Sequence, residues 1–184
     1  MKGTTVAPDF ETLIAAYSGP LLAYLWRLLG DRADAEDCLQ DTFLRAFRGQ
    51  ARLNGHANPQ AWLYRIATNT ARTRLARRTR AAARTAPLDP ELAAAGPGTD
   101  QQAHQRQLLA AVARAVEALS PQQRAALVLR KYQEQSYADI AAILACTEAA
   151  ARANVYQALK RLRIVLEAEG WQDEKADEVN QRQP

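Results

Sequence analysis

Apolar residues recur at helical spacing in two stretches of this chain and lose that spacing between them. The interruption covers residues 79–103, where Pro87, Pro90, Gly96, Pro97 and Gly98 stand in an Ala-rich run without sustained period. It limits the fold more than any other feature, because one continuous helical core does not survive such a gap, whereas two helical units joined by a linker do. A length of 184 residues suits one ordinary domain or two small ones. No stretch alternates apolar and polar residues as a half-buried strand does. The expected fold is therefore all-α, with two small helical domains joined by a flexible linker. The boundaries fall at 1–78, 79–103 and 104–170, with a polar tail at 171–184.

In the first unit, Phe10, Leu13, Ile14 and Tyr17 begin a helix over 9–29 that Leu21, Leu22, Leu25, Leu28 and Leu29 continue. Ser18-Gly19-Pro20 predicts a kink there or a split into two helices. A second helix is expected over 34–48, with Leu39, Phe43, Ala46 and Phe47 on its inner stripe. A third runs over 59–78, with Pro59 near its start and Trp62, Leu63, Ile66 and Ala67 inside. In the second unit, Leu108, Leu109, Val112, Val116 and Leu119 mark a helix from about 104. Ser120-Pro121 is a start signal, a capping hydroxyl followed by Pro at the first helical position. Residues 136–144 and 147–169 complete the set.

Charge is distributed unevenly. Residues 31–41 hold five carboxylates and one Arg, whereas residues 42–88 hold ten Arg and neither Asp, Glu nor Lys. Asp37, Gln40 and Asp41 share one helix face, and Asp34 extends it by a turn. That face fits a basic protein surface. The arginine stretch, interleaved with Phe43, Phe47, Trp62 and Tyr64, fits an anion with flat bases. Trp62, Arg65, Ile66 and Asn69 form a stripe on the third helix that Arg72 extends, suited to stacking on an unpaired base and bonding its edge. Arg72, Arg74, Arg77 and Arg78 suit phosphates. A pair of carboxylates can also hold a divalent metal, as in a nuclease, but no third ligand follows nearby.

Residues 136–162 carry the pattern of a helix-turn-helix, whose second helix normally enters a major groove. Ile140, Ala141 and Leu144 line the first helix, and Ala145-Cys146 makes the turn. Thr147 caps the second helix, which buries Ala151, Val155, Ala158, Leu159 and Leu162. Arg152, Asn154 and Gln157 are placed to read base edges, and alanines such as Ala153 allow close approach. Lys160, Arg161 and Arg163 suit phosphates. Cys38 and Cys146 are expected to be reduced and buried, as in a cytoplasmic protein. His56 and His104 show no zinc-ligand spacing, and no cofactor is implied. No signal peptide or membrane span is expected.

In this order the segments resemble a bacterial alternative sigma factor of the extracytoplasmic-function type. DAEDCLQDTFLRAF at 34–47 is similar to the segment that docks on the coiled coil of the polymerase β′ subunit. NPQAWLYRIATNTARTRLARR at 58–78 is similar to the segment that melts and reads the −10 promoter element. Residues 119–163 are similar to the −35-reading domain. The resemblance implies no catalysis by the chain, assembly with core RNA polymerase through its β′ and β subunits, duplex and single-stranded promoter DNA as ligands, and an anti-sigma factor as partner. It assigns Asp34, Asp37, Gln40 and Asp41 to polymerase. Arg52, Asn58, Trp62, Arg65, Asn69, Arg72, Arg77 and Arg78 go to the −10 strand, with a flipped base held by the loop Arg52–Asn58 above Asn69. Thr147, Arg152, Ala153, Asn154, Gln157, Lys160 and Arg161 go to the −35 duplex. Two departures stand out. The turn commonly has Gly where this chain has Ala145, and the recognition helix opens Ala149-Ala150-Ala151-Arg152-Ala153-Asn154 where the family commonly has Gly-Thr-Val-Lys-Ser-Arg. The residues alone leave two other readings, a stand-alone helix-turn-helix regulator and a metal-dependent nuclease or recombinase using Asp37 and Asp41.

Overall fold

The computed structural model describes residues 10–50, 58–82 and 100–168, and these contain seven α-helices and no strand. The first group comprises α1 (Phe10–Leu29), α2 (Arg32–Gly49) and α3 (Pro59–Ala82). The second comprises α4 (Asp100–Glu117), α5 (Pro121–Lys131), α6 (Tyr137–Leu144) and α7 (Glu148–Ala168). The all-helical class agrees with the periodicity.

The expected break in α1 does not occur. Pro20 lies within a continuous helix, with Gly19 and Pro20 both on its exposed side. Leu13 on one side of the step and Leu21, Tyr24, Leu25, Leu28 and Leu29 on the other are buried in the same core. That burial on both halves outweighs the loss of one backbone hydrogen bond at Pro20. The helix stops at Gly30, whose φ of 73° is a left-handed conformation that glycine adopts without Cβ strain. Asp31 then caps α2, its carboxylate accepting from Asp34 N at 2.7 Å.

The inner face of α2 also differs from expectation. Ala35, Cys38, Thr42 and Ala46 are buried, whereas Leu39 and Phe43 are half-buried and Phe47 is 54% exposed. Small residues face inward, so α2 approaches its neighbours closely and the larger side chains lie at the margin. Phe10 packs edge-on against Phe43 and Phe47, with ring centroids 6.5 and 5.3 Å away. On α3, Leu63 and Ala67 are buried as expected, while Trp62 and Ile66 are only half-buried. Tyr64 is fully buried. Its ring lies 5.2 Å from Tyr24, whose hydroxyl is 2.8 Å from Thr68 Oγ1.

In the second group, Ser120 and Gln123 form a reciprocal capping box with Pro121 at the first turn. Ala125 to Leu129 are all buried. Such all-round burial arises because α5 packs against α7 and α6 on one side and α1 on the other. Leu109, expected inside, is exposed. Thr147 caps α7 as expected, accepting from Ala150 N at 3.1 Å. Ala151, Val155 and Ala158 are buried, but Leu159 is not. Cys38 is buried and Cys146 half-buried, and both are free thiols. No described helix is long and apolar enough to cross a membrane.

The two groups are in contact. Helix α6 packs on α3 and α5 on α1, so one hydrophobic cluster runs from Leu21 and Leu63 to Ile140 and Val155.

Candidate nucleic-acid interface

The acidic face and the arginine helix are tied together by a charge network. Arg74 Nε donates to Asp34 Oδ1 at 2.9 Å, and its Nη2 donates to Asp37 Oδ2 at 3.0 Å. Arg78 Nη1 donates to Asp34 Oδ2 at 3.4 Å and to the Leu29 carbonyl at 3.0 Å. Asp34 is thus a brace between α2 and α3, and Arg74 faces carboxylates where a phosphate contact was expected. The hydrogen bond that Arg74 donates to Asp34, followed by the one it donates to Asp37, raises the Arg74 pKa above its ordinary value. Beneath the network, burial pushes the Cys38 thiol up, which keeps it protonated and unreactive. Gln40 and Asp41 remain exposed on the outer face of α2, next to exposed Leu44. Among the described residues no three His, Cys, Asp or Glu side chains are grouped as a metal site would need.

Arg65, Asn69, Arg72 and Arg77 are exposed on α3, with no carboxylate on the helix to neutralise them. Trp62 is half-buried beside them and lies toward Gly49 at the end of α2; a Cβ built there would sit 3.5 Å from its ring. Asn58 caps α3, accepting from Ala61 N at 2.9 Å. Arg52 and the remainder of its loop lie outside the described residues.

On α7, Ala153, Gln157 and Lys160 are exposed, and the Gln157 and Lys160 side chains bond to nothing among the described residues. Arg152 is restrained. It pairs with Glu148 at 2.6 Å and stacks on the Tyr137 ring at 4.5 Å. Asn154 is half-buried, and Arg161 donates to the Ala118 carbonyl at 2.7 Å. The turn holds Ala145 at φ 53°, ψ 49°, the left-handed conformation for which glycine is usual. Sequence reasoning missed an open groove of about 700 Å³ along α7, lined by Tyr156, Leu159, Ile164 and Lys131 among others. It was hidden because helical spacing places Leu159 on the buried stripe.

Residues 13–81 match the model of Sigma-70 region 2, and residues 109–162 match that of Sigma-70, region 4. The RNA polymerase sigma factor CarQ of Myxococcus xanthus is 32% identical, over 85% of this chain and 88% of its own. This chain belongs to the extracytoplasmic-function sigma factors. The RNA polymerase sigma-H factor of Pseudomonas aeruginosa is 28% identical over 86% of each chain. The factor SigE of Mycolicibacterium smegmatis is 31% identical over 86% of this chain, which spans 62% of that relative's length. Among solved structures, the sigma factor RpoE in complex with the anti-sigma factor NepR from Bartonella quintana has a TM-score of 0.65 at 28% identity, covering 86% of this chain and 97% of that one. CnrH in complex with the cytosolic domain of CnrY has a TM-score of 0.59 at 26% identity, covering 86% and 88%. This sigma factor is therefore an alternative initiation factor that directs RNA polymerase to promoters, and the stand-alone regulator and nuclease readings fall away.

Proposed function

We propose that this sigma factor engages core polymerase through the outer face of α2, captures the −10 non-template strand on α3 and reads the −35 duplex with α7. Gln40 and Asp41 meet basic residues of the β′ coiled coil, with Asp37 beside them and Asp34 holding α3 behind. The second group of helices lies against the β subunit. Asn58, Trp62, Arg65 and Asn69, with Arg52, form the base pocket, and Arg72, Arg77 and Arg78 hold phosphates. Thr147, Ala153, Asn154 and Gln157 face base edges, Lys160 and Arg161 face phosphates, and Arg152 joins them once it leaves Glu148. The factor works in the cytoplasm and is itself non-catalytic. An anti-sigma factor restrains it, a reading supported by the complexes in which both structural relatives were solved.

The observation that carries this reading is the exposed stripe Arg65, Asn69, Arg72 beside half-buried Trp62, on a helix free of carboxylates. Helices with merely solvated faces intersperse acids. Replacing Asn69 by Ala should leave core binding unchanged and reduce strand opening at the −10 element, read by the fluorescence of 2-aminopurine placed there. Undiminished opening would remove Asn69 from the pocket.

A further inference from the structure

Guanine reading by α7 rests on one side chain. From Thr147 to Tyr156 the only cation is Arg152, and its exposed neighbours on the first turns of the helix are Glu148, Ala149 and Ala153. The next cations, Lys160 and Arg161, are assigned to phosphates. Asn154 and Gln157 are amides, which pair with adenine, whereas a guanidinium forks onto O6 and N7 of guanine. An arginine discriminates well only when its plane is already fixed, because its rotamer freedom is otherwise lost on binding.

Two grips hold Arg152, and they differ in kind. Glu148 takes the Nη2 edge at 2.6 Å, with the two side chains 61% and 48% exposed. Tyr137, at the start of α6, takes the face, its ring centroid 4.5 Å away. The carboxylate occupies a donor that a base needs, and its charge is repelled by the DNA backbone. The ring occupies none, because stacking uses the face of the guanidinium and hydrogen bonding uses its rim. Tyr137 is itself well anchored. It is half-buried and packs against the cluster that contains Ile140 and Val155. A second guanidinium, that of Arg130 on α5, lies 4.8 Å from its centroid and donates to the Gln135 carbonyl at 3.1 Å. Arg130 is thus tied to the turn before α6, which leaves Arg152 the freer of the two.

We propose that Tyr137 is a positioning residue for promoter specificity: it keeps the Arg152 guanidinium stacked while that group exchanges Glu148 for a guanine of the −35 element. The inference rests on the assignment of α7 to that element. An exposed ion pair one helical turn apart changes an equilibrium constant only about twofold, so the carboxylate yields to a base edge. The stack instead strengthens once the groove excludes water, and passing from its exposed to its desolvated value multiplies a binding constant by about fivefold or more. That gain is made only when Arg152 sits on guanine, so it enters the preference among bases rather than the overall affinity.

The test is the −35 preference of the reconstituted holoenzyme, read by competition among promoters randomised at that element. A ratio among bases does not depend on the folded fraction of a variant. Arg152→Ala should abolish a guanine preference of about 5- to 150-fold at one base pair. Tyr137→Leu, which keeps an apolar side chain on the core, should lower that same preference about fivefold and leave the other positions unchanged. Tyr137→Phe should retain it, and Tyr137→Leu added to Arg152→Ala should change it no further. Glu148→Gln should tighten binding to the guanine-bearing site about twofold. Tyr137→Leu weakening all sequences alike, or Tyr137→Phe losing as much preference as Tyr137→Leu, overturns the positioning role. Weaker binding by Glu148→Gln overturns the exchange. An Arg152→Ala profile identical to that of the unaltered chain overturns instead the placement of α7 on the −35 bases, and the role of Tyr137 with it.

Discussion

Asp34→Asn separates a structural role for the acidic face from a contact role. Asn keeps the size of the side chain but removes the charge shared by Arg74 and Arg78. The Asp34 side chain is 19% exposed and that of Arg74 35%, so the pair lies between two regimes. A hydrogen bond to a charged group contributes about 1.5–3 kcal/mol when protected, and an exposed ion pair about 0.2–1 kcal/mol. We take about 1.5 kcal/mol for the Arg74 contact and about 0.5 kcal/mol for the longer one from Arg78, about 2 kcal/mol together. For a chain of this size that lowers Tm by about 4–8 °C. Calorimetry on Asp34→Asn, Arg74→Met and the double variant should give a coupling of about 1.5 kcal/mol, reduced at high salt. Asp41→Asn, on the exposed outer face, should leave Tm within about 1 °C and weaken core binding more than Asp34→Asn does. No coupling between Asp34 and Arg74, or a Tm loss for Asp41→Asn as large as for Asp34→Asn, would refute the brace.

Three further outcomes follow from the geometry. Burial pushes the Tyr24 hydroxyl well above its ordinary range and that of Tyr64 up to about 12. Both raised values lie on the folded side, so the unfolded chain holds fewer protons above pH 10. Stability is therefore intact below pH 10 and falls as pH rises toward 12, by about 1.4 kcal/mol per pH unit for Tyr24. Urea midpoints from pH 9 to 11 should show this decline, and Tyr24→Phe should flatten it. Ala145→Gly relieves a left-handed alanine and should stabilise the chain by about 1 kcal/mol, a Tm rise of about 2–4 °C; an unchanged or lower Tm would contradict the strain. Lys160→Ala should lower −35 affinity for all sequences and reduce the salt slope by about 1, whereas Gln157→Ala should relax preference at one position.

Helix starts were legible in the sequence where the signal is local. Ser120-Pro121 and Thr147 cap as read, because a cap depends on residues within one turn. The Ser18-Gly19-Pro20 break was misread because its local cost is outweighed by core contacts on both sides of Pro20. The α2 stripe was misjudged because size was used as a guide to burial, whereas the tight approach of α2 admits Ala35, Cys38 and Ala46. Exposed placement was legible for Asn69, Gln157 and Lys160, whose helices were identified correctly. It was not legible that Arg74 and Arg152 face carboxylates, since Arg74–Asp34 joins residues far apart in sequence and Arg152–Glu148 depends on rotamer choice. Nor did any periodicity disclose the contact between the two helix groups, which joins α3 to α6 and α1 to α5 across the shared hydrophobic cluster and through long-range pairs such as Tyr64 with Gln133.

The most direct measurement is transcription by purified core RNA polymerase, with and without this chain, from a promoter library randomised at both elements. The account predicts transcripts that depend on the chain, start at one class of promoter, and fall when Asp41 is reversed to Arg or Asn69 is replaced by Ala. Transcripts that arise without the chain, or are indifferent to both substitutions, would contradict it.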